Sequence, residues 1–180
     1  LMKMSEKNAL SWFHEDTILE LGRVIHCIDN CDISDQTRDF IRLALSHQIR
    51  KSSFQRNNEF KLYREAEEER SNAKPVIAPF VAKLESNYQK AIGFKRATKG
   101  TNPKSTILAH NTVDSRKLSC YGCRKIDLVI TSPPYGDSAT TVAYGQFSWL
   151  SHKVLGLAEM NYQSDVDNSL MGGKAASEII

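Results

Sequence analysis

Ile126-Asp127-Leu128-Val129-Ile130-Thr131-Ser132-Pro133-Pro134-Tyr135-Gly136 is the stretch on which the fold assignment turns. Its first half is a nearly continuous apolar run rich in β-branched residues, the pattern of a strand buried on both faces. Pro133 and Pro134 end the run abruptly, because neither can donate a ladder hydrogen bond. Downstream, Phe147, Leu150, Val154 and Leu155 fall at i, i+3, i+7 and i+8, which predicts an amphipathic helix leaving the carboxyl end of that strand. Upstream, residues 105–109 read as a further short strand. These elements predict an α/β arrangement, whose ligands would collect at the carboxyl edge of the sheet.

Toward the N-terminus the pattern becomes helical. Ile18, Leu19, Leu21, Val24, Ile25 and Ile28 define one broad apolar face over residues 15–29. Ser34 or Asp35 is placed to cap a second helix carrying Phe40, Ile41, Ala44, Leu45 and Ile49, expected to pair antiparallel with the first. A third is expected from Pro75, with Ile77, Phe80, Val81, Leu84, Tyr88 and Ile92, until Gly93 interrupts it. Residues 51–58 have no clear period and read as a loop, and the charged run 65–70 as a solvated face. The polar stretch 95–104 marks the boundary between residues 1–103 and 104–180.

The 180 residues carry a formal charge of +3, with 41% hydrophobic and 25% charged residues, an ordinary globular balance that neither requires nor excludes nucleic acid. No window approaches the roughly 18 consecutive apolar residues of a membrane helix, and the first residues lack the apolar core of a secretory signal. A cytoplasmic location is expected. Leu1 precedes Met2 and residues 175–180 carry no helix stop, so both ends read as cut from something longer.

The strand ending in Ser132-Pro133-Pro134-Tyr135 resembles the catalytic motif of the amino-group DNA methyltransferases, and its Ser form is similar to the N4-cytosine branch. The turn at Gly136-Asp137-Ser138 and the run 140–148 extend the likeness. The resemblance covers about residues 105–173 and implies a partial Rossmann-like methyltransferase sheet preceded by an all-helical region. It implies S-adenosylmethionine as cofactor and transfer of its methyl group to N4 of a flipped cytosine in double-stranded DNA. N6 of adenine is the alternative target. Ser132, Pro133, Pro134 and Tyr135 are then the catalytic residues. An exocyclic amine is a poor nucleophile because its lone pair is delocalised into the ring. Hydrogen bonds from it to Ser132 Oγ and the Pro133 carbonyl favour the geometry that localises the pair. The prolines stiffen the backbone carrying those acceptors, and Tyr135 offers a ring on which an extruded base can stack.

One family feature is missing. The nine glycines include no Gly-x-Gly, so the chain carries no glycine-rich cofactor loop. A missing flank or a second chain is expected to complete the cofactor site, and the resemblance also implies a companion restriction endonuclease as a further partner. Thr131 and Asp114 are the candidate cofactor contacts, with Asp114 equally placed to cap a short helix at Ser115. The missing loop also leaves open a non-catalytic DNA-binding or specificity subunit.

In the helical half, Arg38, Arg42, Arg50, Lys51, Arg56, Lys61 and Arg64 are interleaved with polar residues, a composition suited to target recognition and equally to a solvated helix face. Arg50, Lys51, Ser52, Arg56 and Asn57 are the candidate DNA contacts. Cys27 and Cys31 with Cys120 and Cys123 make a four-thiolate zinc site formally possible, but the separation of the pairs favours free thiols and no metal. The five histidines form no ligand motif.

Overall fold

A computed structural model describes residues 5–56, 62–101, 104–105, 128, 130 and 144–157. These form five α-helices, α1 (Glu6–Leu10), α2 (Glu15–Asn30), α3 (Asp35–Ser52), α4 (Ile77–Ala97) and α5 (Tyr144–Leu155), with a short 3-10 turn at Glu67–Arg70.

Helices α2 and α3 form where their periodicity places them. Leu21, Val24, Ile25 and Ile28 bury one stripe of α2 against Ala44, Leu45 and Ile49 of α3. Leu19, expected on that stripe, lies outside it and is exposed. His14 accepts a hydrogen bond from the Asp16 amide at the start of α2, and Ser34 accepts one from the Thr37 amide at the start of α3. The short connection between them makes the helices antiparallel neighbours. Helix α2 has no basic residue in its own last turn. Helix α3 supplies the charge instead, with the Arg38 guanidinium donating to the Ile28 and Cys31 carbonyls and Arg42 pairing with Asp29 at 2.8 Å.

Helix α4 is held at its N-terminus by α2. Val76 provides no side-chain cap, and Glu20 Oε2 accepts the Val76 and Ile77 amides at 2.7 and 3.3 Å, placing a carboxylate at the positive end of the helix dipole. Thr17 fastens the preceding segment: its Oγ1 donates to the Lys74 carbonyl and accepts from the Lys74 amide. The interruption expected at Gly93 does not occur, and α4 continues to Ala97. A lone glycine costs a helix only about 1 kcal/mol. The chain leaves the helix at Thr98 and then Gly100, which adopts a positive φ.

The α/β expectation is overturned. Among the described residues there is no strand, and the only ladder-like feature is an isolated antiparallel bridge between Gln55 and Arg64. Leu128 and Ile130 lie outside regular structure and are 73% and 87% exposed, where a central strand would bury both. The physical reason is that an apolar run becomes a buried strand only beside neighbours that pair its amides and carbonyls. The described residues supply helices alone, so no Rossmann-like sheet is present there.

Helix α5 follows its predicted pattern and joins the same core. Leu150 and Val154 are buried with the α2 and α3 residues, while Leu155 is partly covered and Phe147 stays exposed. Ser151 Oγ donates to the Ser46 carbonyl of α3 at 2.8 Å, and Gln146 Oε1 accepts the Leu62 amide at 3.2 Å. Trp149 packs on Trp12 with tilted rings 6.0 Å apart. Helix α5 is thus tied to the helical body. Among the described residues no helix is long and apolar enough to cross a membrane.

Candidate functional site

Two adjoining clefts flank the C-terminal half of α3. The first, about 500 Å³, lies between α3, α4 and α5 and is bounded by His47, Arg50, Lys83, Asn87, Phe147 and His152 among others. The second, about 620 Å³, is lined by His47, Gln48 and Lys51 of α3, by Lys83 of α4 and by Lys74 and Pro75 before it. His47 and Lys83 belong to both, and no carboxylate lines either cleft among the described residues. Helical geometry explains the grouping, since His47, Arg50 and Lys51 stand at i, i+3 and i+4 and therefore share a face.

The candidate contacts divide sharply. Arg50 is only 8% exposed, with its guanidinium 3.3 Å from the centroid of the Phe147 ring. Burial lowers its pKa, but a guanidinium stays charged, so it contributes a cation at the cleft wall stacked on an aromatic face. Ser52 is buried, and its hydroxyl donates to the Gln48 carbonyl within α3. Lys51 and Arg56 are exposed. Among the other cations of the helical half, Arg38 and Arg42 serve the end of α2, and Arg64 stands 5.3 Å over the Trp12 ring. Lys74 is met by Glu65 at 2.6 Å. Asn57, Lys61, Asp114, Thr131, Ser132, Pro133, Pro134 and Tyr135 lie outside the described residues, as do Cys120 and Cys123. Cys27 and Cys31 are exposed free thiols, and no group of three or more metal-ligating side chains comes together among the described residues.

His47 and Lys83 are absent from the sequence-based selection. The spacing of His47 to Lys51 was available as a signal, whereas Lys83 is brought to them only by the packing of α4 on α3. His47 is exposed overall. Even so, desolvation of its covered part, followed by the charges of Lys83, Lys51 and Arg50, holds its pKa below the usual imidazole value. A depressed imidazole pKa means that the unfolded chain takes up a proton before the folded one does. The contribution of His47 to stability is therefore complete above the ordinary imidazole pKa of about 6.5 and declines as pH falls from there toward the depressed folded value. His47→Gln is expected to make denaturant unfolding midpoints less pH-dependent between neutral and mildly acidic pH. An unchanged pH profile would show that the ring is not held neutral by its surroundings.

Comparison with known proteins adds one relationship. Over 176 residues, 94% of the chain, it is 37% identical to the type II methyltransferase M.MvaI of Kocuria varians. The chain is similar to a type II methyltransferase. It spans 38% of the length of the Kocuria varians methyltransferase, and the likeness runs through the helical half as well as the Ser-Pro-Pro-Tyr segment. No family model and no solved structure matches the chain.

Proposed function

We propose that this chain is part of a DNA methyltransferase that transfers a methyl group to the exocyclic N4 of a cytosine rotated out of the duplex. The observation that carries the reading is Ser132-Pro133-Pro134-Tyr135, in a chain 37% identical over 94% of its length to a type II methyltransferase. Ser132 Oγ and the Pro133 carbonyl accept the two hydrogen bonds of the target amine and orient its lone pair, while Tyr135 stacks on the extruded base. The proline pair keeps these groups at fixed separation, so little reorganisation is needed during transfer.

S-adenosylmethionine is the methyl donor in this reading and supplies an electrophilic methyl sulfonium. The described residues do not fit a cradle for it: Gly22, Gly93 and Gly145 lie inside helices, and Gly100 and Gly156 stand singly after helices. Thr131 and Asp114 keep their proposed contact roles by resemblance alone. Lys51 in the last turn of α3 and Arg56 beyond it are exposed, which supports the reading of these two cations as DNA contacts, and Arg50 adds a buried cation at the wall of the first cleft.

Nucleoside mass spectrometry of DNA from cells expressing the complete protein is expected to reveal N4-methylcytosine. N6-methyladenine in its place would move the target to adenine. No modified base from a folded, complete protein would sink the enzymatic reading and favour a DNA-binding subunit.

A further inference from the structure

We propose that His47, Lys51 and Lys83 form a two-helix clamp that grips the sugar–phosphate backbone of duplex DNA. The clamp rests on the DNA methyltransferase reading and adds a binding site on α4 to it. Its basis is the meeting of two clefts. His47 and Lys83 line both, Lys51 stands one helical turn beyond His47 on the same face of α3, and Lys83 approaches from α4.

The surrounding charges make this cluster different from the other cations of the helical half. Arg38, Arg42 and Lys74 already have carbonyl or carboxylate partners. Neither Lys51 nor Lys83 takes part in an ion pair among the described residues. Around His47 stand Arg50 and Lys51 from α3, Lys83 from α4, His152 from α5, and Lys74, whose charge is met by Glu65. Lys51 and Lys83, like charges brought toward one another with no ion pair of their own among the described residues, repel each other, and an anion seated between them removes that cost. A phosphodiester supplies a single negative charge and accessible acceptor oxygens, which suits lysine ammonium groups that act as point charges. The pKa of His47 is lowered first by burial and then by the charges of Lys83, Lys51 and Arg50, the second effect being the one an anion in the cleft would offset.

The test is fluorescence anisotropy of a labelled 20-base-pair duplex with the full protein over a salt series, comparing wild type with the double variant Lys51→Gln, Lys83→Gln. Loss of two phosphate contacts is expected to reduce the magnitude of the slope of log K against log salt by about 1.8, and to weaken binding on the order of tens-fold at 0.1 M salt. Lys83→Arg, which keeps the charge, should retain most of the slope. In NMR titrations the His47 ring should take up its proton at higher pH when the duplex is bound, because a nearby phosphate favours the imidazolium. Binding by wild type with an unchanged slope in the double variant, or a loss of affinity without change of slope, overturns the clamp and leaves the enzymatic reading intact. An unshifted His47 with bound duplex also overturns it. Failure of the folded wild-type protein to bind duplex DNA overturns both.

Discussion

Ser132→Ala is expected to slow methyl transfer by about 10²- to 10³-fold, the range typical for loss of one preorganised hydrogen-bonding group at a reacting centre. Duplex affinity should change little, because the hydroxyl is assigned to the target amine and not to the phosphate backbone. Single-turnover rates with a cognate duplex, set beside anisotropy binding with the same DNA, separate the two quantities. Tyr135→Ala should act differently. Removing a stacking ring costs about 1–3 kcal/mol per base, so both the extruded state and the observed rate should fall, with fluorescence of a 2-aminopurine at the target position reporting less extrusion. A Ser132→Ala protein that methylates at the wild-type rate would remove the hydroxyl from the mechanism and reduce Ser-Pro-Pro-Tyr to a proline-terminated turn. An equal loss of rate and duplex affinity would indicate damage to the fold near the motif.

The helical framework was legible wherever local signals agreed. Ser34 as a cap and the spacing of Leu21, Val24, Ile25 and Ile28 all point to the helices observed, because capping and amphipathic periodicity are written within a few residues. Helix α1 escaped notice because it is five residues long and buries only Ala9. Gly93 was overvalued as a stop, since the favourable residues around it outweigh one glycine. The sheet was misread for a deeper reason. The apolar run ending at Thr131 has the residue types of a strand, but no local pattern shows whether partners stand beside it, and exposed Leu128 and Ile130 lack the burial that the reading required.

The basic residues show the same division between local and long-range information. In linear order Arg38, Arg42, Arg50, Lys51, Arg56 and Arg64 look like one recognition surface. In three dimensions Arg38 and Arg42 close the end of α2, Arg50 lies against Phe147, and Arg64 leans over Trp12. Lys83, from another helix, joins His47 and Lys51 instead. Charge counts predict the sign of a surface, whereas packing decides which charges remain available on it.

Leu150→Ala is expected to lower the unfolding free energy by about 2–5 kcal/mol, the usual cost of deleting a buried leucine and leaving a cavity. Leu150 is 1% exposed and belongs to the core that includes Leu45, Ile49 and Leu21, so little solvent-side relaxation can fill the space. Urea unfolding followed by far-UV circular dichroism and by tryptophan fluorescence checks this directly. Trp12 and Trp149 sit together, 6.0 Å apart, and report the docking of α5 on the N-terminal helices. If α5 is integral to the body, both signals should shift together to lower urea in the variant. If the fluorescence transition separates and moves while the helical signal stays, α5 would be a detachable arm. A cooperative shift would instead make α5 part of the same folded unit as α3, so that the cleft lined by Arg50, Lys83 and Phe147 is held by one cooperative core.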